Sequence, residues 1–189
     1  TFTALTKFRD NPRATMLVAG AASAFGFAPA GLWPVTLLAY ALLIDFVART
    51  ESSKRAALYG WLFGFGQFAV GLSWLAKAFT YQDAIPHLLG WLASPGSSLY
   101  LAIYPALATW GAWRITKFKQ NPAGDQQASL RFILGFAGCW IIAEWMRSWV
   151  FTGFPWASSG YAHDLAPLAG YAPLIGVYAS DIGGLNQWI

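Results

Sequence analysis

Long apolar runs separated by short polar stretches make up most of this chain of 189 residues. Each run is close to the ~20 residues that a helix needs to cross the hydrocarbon core of a bilayer. We therefore predict an all-α, polytopic integral membrane helix bundle, with five transmembrane helices and the start of a sixth. The predicted spans cover residues 14–29, 33–48, 56–76, 97–113 and 132–149, followed by a partial span over 167–189.

The fourth apolar run is too long for one helix, since residues 85–113 contain no Asp, Glu, Lys or Arg. We expect Pro95-Gly96 to interrupt it, because proline and glycine are the strongest local breakers of regular structure. The fourth span is therefore placed after this break. The polar residues 120–129 are predicted to form a loop for the same reason.

Basic residues lie in alternate connections between the apolar runs. They precede the first run, follow the second and follow the fourth, whereas the connection after the fifth run has none. Because cytoplasmic loops hold an excess of Lys and Arg, we predict a cytoplasmic N-terminus. The connection after the fifth run is then on the outer face, in the periplasm or outside the cell. The basic residues of these three connections are Lys7, Arg9, Arg13, Arg49, Lys54, Arg55, Arg114, Lys117, Lys119 and Arg131, whereas Lys77 after the third run is balanced by Asp83.

Composition strengthens the membrane prediction. Only 11% of the residues are charged, against roughly 25% in an average soluble domain. Aromatic residues reach 17%, including eleven Trp, and aromatic rings are typical of membrane interfaces. The net charge of +4 comes from residues between the apolar runs and forms no basic stripe. We therefore predict no nucleic-acid partner.

The end of the fifth run carries an acid and a base, Glu144 and Arg147, three residues apart. On a helix this spacing places both side chains on one face. Either charge alone would be costly in hydrocarbon, whereas together they partly neutralise each other. Two interpretations stay open. The pair is either a polar site for a lipid headgroup or substrate entrance, or a structural ion pair that also holds the next loop.

An uncharged aromatic turn, Gly153-Phe154-Pro155-Trp156, follows this pair. Pro155 fixes its own φ and favours an extended Phe154, while Gly153 permits backbone conformations that other residues resist. The turn is therefore predicted to be stiff and to present Trp156 in a defined place. On physical grounds alone, an ordinary turn in an aromatic belt is the favoured interpretation.

Gly60 and Gly64 have the spacing that lets two helices approach closely. This pattern suits either a dimer face or packing inside one bundle, and we favour packing inside the bundle because such contacts usually serve the fold.

The remaining reactive side chains indicate no catalytic or metal site. Cys139 lies inside the fifth run, where desolvation would raise its pKa and make it a poor nucleophile, so we interpret it as packing. His87 and His163 have no carboxylate or Cys companions at metal-ligand spacing, so neither a metal nor a cofactor is predicted. Asp181 is either a buried functional acid or a residue near a helix end.

Several blocks carry a resemblance to a known family. In chain order they are Ala28-Pro29 with Leu32-Trp33-Pro34, Gly60-Trp61-Leu62-Phe63-Gly64-Phe65-Gly66 with Gly71-Leu72-Ser73-Trp74, Glu144-Trp145-Met146-Arg147-Ser148-Trp149 with Thr152-Gly153-Phe154-Pro155-Trp156, Ser159-Gly160-Tyr161, and Pro173-Leu174-Ile175-Gly176-Val177-Tyr178. In this order they resemble the N-terminal membrane part of apolipoprotein N-acyltransferases. The block from Glu144 to Trp156 is the specific one, whereas the glycine block alone would be weak.

The resemblance implies an acyltransferase of the bacterial inner membrane. It implies transfer of an acyl chain from a phospholipid to the α-amino group of a lipoprotein's N-terminal diacylglyceryl-cysteine, through a thioester on a Cys. In the family the catalytic Glu, Lys and Cys lie in a periplasmic nitrilase-like domain. We expect that domain to be missing from this chain, which would then be inactive by itself. Cys139 lies in a predicted span, and Lys77 and Glu144 match no nitrilase motif.

For this chain the resemblance implies a role in substrate access. The family's loop that matches residues 153–156 lies beside the portal for lipid substrates, which makes Gly153 and Trp156 the favoured functional residues. Glu144 and Arg147 would hold that loop. The rival hypotheses are a small polytopic transporter or lipid-binding membrane protein that uses the same charged pair, and a purely structural remnant.

Overall fold

The computed structural model describes residues 11–27, 30–79, 87–117 and 130–150. The regular elements of these stretches are helical. A short 3-10 turn, Ala24–Gly26, follows the first helix. The α-helices are α1 (Pro12–Ser23), α2 (Trp33–Arg49), α3 (Ser53–Gly71), α4 (Ser73–Phe79), α5 (His87–Leu101), α6 (Ile103–Lys117) and α7 (Leu130–Trp149).

Local sequence signals explain where α1 and α2 begin. The Asn11 side chain accepts a hydrogen bond from a backbone N–H in the first turn of α1 at 3.4 Å. Pro12 occupies the first turn, where its missing N–H costs no helical hydrogen bond. Between the helices, Gly31 has a φ of 61°, which glycine adopts without strain. The Thr36 hydroxyl then donates to the Ser23 carbonyl at 2.8 Å and ties α2 to the end of α1.

The break in the fourth apolar run lies at Ala102 rather than at the predicted Pro95-Gly96. Helix α5 continues through Pro95 to Leu101, and α6 begins at Ile103. The physical reason is Pro105, which has no N–H to donate to the Leu101 carbonyl and whose ring crowds that carbonyl. The predicted break at Pro95-Gly96 was therefore wrong.

The prediction of five transmembrane helices was also wrong. Across the described stretches, no helix combines the length and the apolar character needed to cross a membrane. Turns at Leu72 and Ala102 divide the third and fourth apolar runs into shorter helices. The longest helix, α7, has 20 residues and includes three charged ones, Arg131, Glu144 and Arg147. The predicted sixth segment, 167–189, lies outside the described residues.

Helix α3 occupies the centre of the bundle. It packs against α1 on one side and against α6 on the other, and α6 in turn packs against α7. Helix α2 lies against α1 and also contacts α3, while α4 packs against α5. The largest fully buried side chains between these helices include Met16, Leu43, Phe63, Leu72, Leu101 and Phe132.

Glycines on α3 allow this close packing on both sides. A Cβ at Gly60 would overlap the Pro105 carbonyl, and one at Gly64 would come within 2.7 Å of the Pro105 side chain. On the opposite side, a Cβ at Gly66 would overlap the Leu17 carbonyl of α1. The structure thus confirms the interpretation that Gly60 and Gly64 serve packing within one bundle.

Large apolar side chains also lie on the outside of the bundle. Leu38 is 67% exposed and Ile115 is 61% exposed. Water-soluble monomers rarely expose large continuous apolar patches, and such patches mark surfaces that contact membranes or partners. Other exposed apolar residues are Val18, Phe25, Leu92, Leu99, Leu130, Leu134, Ile142, Trp145 and Trp149.

We expect Gly60→Ala to destabilise the bundle by about 1–3 kcal/mol, which is typical of overpacking. The added methyl group must push α3 away from the Pro105 carbonyl. Gly138→Ala is the matched control, because a Cβ there meets nothing within 4 Å and alanine is the better helix former. Thermal unfolding followed by Trp fluorescence checks both variants. Equal melting temperatures would contradict the proposed close contact between α3 and α6.

Candidate functional site

The candidate site contains two charged residues of α7 whose side chains are buried in the bundle. Glu144 is 6% exposed and Arg147 is 2% exposed. They belong to a buried face of α7 that also includes Phe136, Trp140 and Ala143. The residues of the opposite face, such as Trp145, are exposed. Helical spacing thus separates an apolar outer face from an inner face that ends in charged residues.

Contacts with an opposite charge, an indole N–H and an aromatic ring help to stabilise the two buried charges. Arg147 Nη2 lies 3.9 Å from Glu144 Oε1. The Trp140 indole N–H donates to the same Oε1 at 3.1 Å, and the Arg147 guanidinium lies 5.4 Å from the centre of the Phe68 ring. An opposite charge, a hydrogen bond and an aromatic face each compensate part of the cost of removing these groups from water.

An aromatic cluster holds the Trp140 indole in place. The Tyr40 ring of α2 meets Trp140 edge-on, with ring centroids 5.1 Å apart, and meets Phe63 of α3 at 5.2 Å. Phe136 stacks on Trp140 from one turn earlier at 5.4 Å. Since tilted and offset ring pairs are the favoured geometries, the cluster fixes the indole that binds Glu144.

Polar side chains from α3 and α6 complete the surroundings. The Gln67 amide of α3 donates to the Tyr40 hydroxyl at 3.3 Å. The hydroxyls of Tyr100 and Tyr104 are hydrogen-bonded at 2.7 Å. Burial, and then the hydrogen bond with Tyr100, raises the pKa of Tyr104 to about 12. Tyr104 therefore stays a neutral phenol at physiological pH.

The charged pair, Gln67 and Tyr104 line one small cavity of about 10 Å³. A cavity of this size holds at most about one water molecule. The described part of the site is therefore suited to supporting the end of α7 rather than to holding a lipid. The lining residues are Gln67, Phe68, Tyr104, Pro105, Trp140, Ala143, Glu144 and Arg147.

A larger depression lies at the other end of α3, away from the buried pair. It has a volume of about 480 Å³ and includes Glu51, Arg55 and Tyr59 among its lining residues. Its ion pair, between Arg49 Nη2 and Asp45 Oδ1 at 2.7 Å, is 48% and 41% exposed. Within the described stretches, the Glu144–Arg147 pair is buried and the Asp45–Arg49 pair is exposed, and each forms within a single helix.

The sequence pattern indicated only part of this site. Glu144 and Arg147 lie together as their spacing predicted, while Gly153, Phe154, Pro155 and Trp156 lie outside the described residues. The role of all six stays a prediction. The sequence analysis missed Gln67, Tyr40, Tyr104 and Trp140. Gln67 had a usable signal, because it is the only Asn or Gln between residues 56 and 76.

Two further predictions concern the role of Cys139 and the absence of a metal site. Cys139 is half-buried, and burial raises the pKa of its thiol, as expected from its place in an apolar helix. Within the described ranges, no three His, Cys, Asp or Glu side chains come close enough to hold a metal ion. His163 and Asp181 lie outside those ranges, so the prediction that no metal or cofactor binds stays a prediction.

Fold and site together define an all-helical bundle with an ion pair buried among aromatic side chains. A family model described as "Apolipoprotein N-acyltransferase N-terminal domain" matches residues 19–182. The chain belongs to the apolipoprotein N-acyltransferase family, which confirms the resemblance seen in the sequence.

Similar proteins extend well beyond the length of this chain. The apolipoprotein N-acyltransferase of Ralstonia nicotianae is 36% identical over 182 residues, which cover 92% of this chain and 33% of that protein. The one of Nitrosomonas europaea is 39% identical over 164 residues, covering 86% and 31%. The one of Vibrio vulnificus is 37% identical over 158 residues, covering 84% and 29%. The chain spans about a third of the length of the curated relatives it matches.

We expect Glu144→Gln to lower the free energy of unfolding by about 3–5 kcal/mol, because it removes the carboxylate charge beside the buried Arg147 guanidinium. Adding Arg147→Met should recover part of this loss, since the double variant buries no charge at this position. Denaturant unfolding of the single and double variants measures both effects.

The exposed pair supplies the control for this experiment. Asp45→Asn and Arg49→Met should each change the free energy of unfolding by less than about 1 kcal/mol, because water screens surface pairs. A loss at Glu144 no larger than the loss at Asp45 would show that burial of the pair contributes nothing special.

Proposed function

We propose that this chain is the substrate-gathering part of an apolipoprotein N-acyltransferase. In this proposal the full protein transfers an acyl chain from a phospholipid to the α-amino group of a lipoprotein's N-terminal diacylglyceryl-cysteine. Family membership supports the reaction class, since the relatives in Ralstonia nicotianae and Nitrosomonas europaea are named as apolipoprotein N-acyltransferases. The two substrates follow from the family resemblance.

We further propose the bacterial inner membrane as the place of action. The exposed apolar side chains of the bundle, among them Leu38, Trp145 and Trp149, support contact with lipid. Both proposed substrates carry acyl chains that would stay in lipid while their headgroups react. Holding the two headgroups side by side would lower the entropic barrier of the transfer.

The observation that carries the proposal for this chain is the buried pair at the end of α7. Glu144 and Arg147 are held from α3 and from within α7, one turn before the helix ends at Trp149. A segment that leaves a helix end fixed in this way starts from a defined position. We propose that this support orients the turn from Gly153 to Trp156, that the turn shapes lipid access, and that the bundle anchors the catalytic domain.

The proposed chemistry does not use Cys139. A half-buried thiol with a raised pKa carries little thiolate, and the thiolate is the nucleophile. A covalent thioester would divide the transfer into two easier steps, and we propose that a Cys elsewhere in the full-length protein forms it. Residues 1–189 alone are then expected to be inactive.

Complementation tests the proposed function most directly. The full-length protein should rescue cells depleted of their own N-acyltransferase, whereas Trp156→Ala should lower acyl transfer about 10- to 100-fold, as expected when substrates are misplaced. Trp145→Ala is the matched control, because Trp145 is a half-exposed Trp on the outer face of α7. Membrane abundance of each variant is measured by immunoblot, and acylation of a reporter lipoprotein by mass shift.

The possible outcomes separate the two parts of the proposal. Rescue by both variants would leave the acyltransferase assignment intact and refute the access role of Trp156. Failure of the unaltered, normally abundant protein would refute the acyltransferase function and favour a transporter or lipid-binding protein.

Thiol labelling tests where the turn lies. In a Cys139→Ala background, we expect Phe154→Cys to react with a membrane-impermeant maleimide, added to cells with a permeabilised outer membrane, more strongly than the same background without Phe154→Cys, which still contains the proposed catalytic Cys. We expect this labelling because the turn is proposed to lie on the periplasmic side, where the reagent can reach it. The same variant labelled after detergent solubilisation controls for reactivity of the thiol. Labelling that occurs only after solubilisation would contradict the proposed position.

A further inference from the structure

The cavity beside the buried ion pair has the size of a single water molecule. Its volume is about 10 Å³, and a water site needs at least about 10–15 Å³ of such space. Helices α3, α6 and α7 all contribute lining residues, so the cavity lies where the three helices meet. Its size leaves water as the only common ligand that would fit.

The lining of the cavity is polar enough to hold water. Gln67, Tyr104, Glu144 and Arg147 all line it, and they are 3%, 5%, 6% and 2% exposed. Together they offer amide and hydroxyl groups that both donate and accept, a carboxylate that accepts, and a guanidinium that donates. A buried water typically makes about three hydrogen bonds to such groups.

We propose that this cavity is a specific binding site for one water molecule, which links the Gln67 amide of α3 to the Glu144 carboxylate of α7. The water adds to the contacts that the charged pair already makes within α7 and with Phe68. It gives α3 a polar connection to α7. This inference goes beyond the proposed function and does not depend on which reaction the protein catalyses.

The competing description is a dry cavity. Empty cavities in proteins are apolar, and Phe68, Pro105 and Ala143 supply an apolar part of the lining here. The charged pair favours a hydrated cavity, because each additional hydrogen bond stabilises a buried charge in a medium of low dielectric constant. The two descriptions predict opposite responses to an added hydroxyl group.

Two nearly isosteric substitutions at Ala143 distinguish these descriptions. Ala143 lines the cavity and is 6% exposed. Ala143→Val and Ala143→Thr place the same volume at the cavity, and both introduce a β-branched residue into α7. Only the Thr hydroxyl can replace the hydrogen bonds of a displaced water. We expect the apparent melting temperature of the full-length Ala143→Thr protein to exceed that of Ala143→Val by at least about 2 °C.

Ala108 supplies the control, because it is 2% exposed on α6 and is not among the residues that line the cavity. There we expect Ala108→Val to be at least as stable as Ala108→Thr. A preference for Thr at both positions would overturn the proposal, since a hydroxyl that bonds its own helix would then explain the result. A higher melting temperature for Ala143→Val would also overturn it.

A direct readout needs no substitution and stands if the Ala143 variants fail to fold. An experimental density map of the unaltered full-length protein, at a resolution that shows ordered water, should contain a peak in this cavity. We expect the peak within hydrogen-bond distance of Glu144 and Gln67. A well-ordered cavity without such a peak, or one filled by a side chain, would refute the water site.

Discussion

Burial of the Glu144–Arg147 pair is the constraint on which the surrounding structure depends. Removing two charges from water costs several kcal/mol per ion even after relaxation. Favourable contacts with the buried groups must therefore compensate this cost. The indole of Trp140 donates to the carboxylate, and the ring of Phe68 faces the guanidinium. Because Trp140 belongs to α7 and Phe68 to α3, both helices compensate part of the cost of burying the charges. Two charges three residues apart in the sequence therefore depend on contacts from another helix of the bundle.

Close packing of the helices makes that arrangement possible. Gly60 and Gly64 let α6 approach α3 until Pro105 lies against the glycine surface. This approach brings Tyr104, the residue before Pro105, to the same cavity as Gln67. The same proline ends the hydrogen-bonded ladder of α5 and sets the turn at Ala102. Glycines on one helix and a proline on another thus place the polar groups that surround the charged pair.

The surface of the bundle also carries large apolar side chains. Many of them, among them Leu38 and Ile115, lie exposed on the outside of the bundle. The hydropathy pattern located the apolar runs but did not predict where turns divide them into helices. The expectation of five transmembrane helices was therefore wrong. Turns at Leu72 and Ala102 shorten the helices, and charges within α7 interrupt its apolar character. Family membership, by contrast, could be identified from short blocks, since the block from Glu144 to Trp156 combines rare residue types in a fixed order.

The sequence by itself determined the helical character of the chain, the family, and the pairing of Glu144 with Arg147. The helical character and the charged pair depend on residues close together in the chain, where helical spacing decides which side chains meet. The family depends on short blocks of residues in a fixed order. Only the tertiary structure decided that Pro105 rather than Pro95 breaks a helix, and that Gln67, Tyr40 and Tyr104 surround the pair. Those contacts join residues far apart in sequence, and many aromatic and polar positions are equivalent until packing selects among them. Which ones meet is set by how closely the helices approach, a property of the assembled bundle rather than of any single segment.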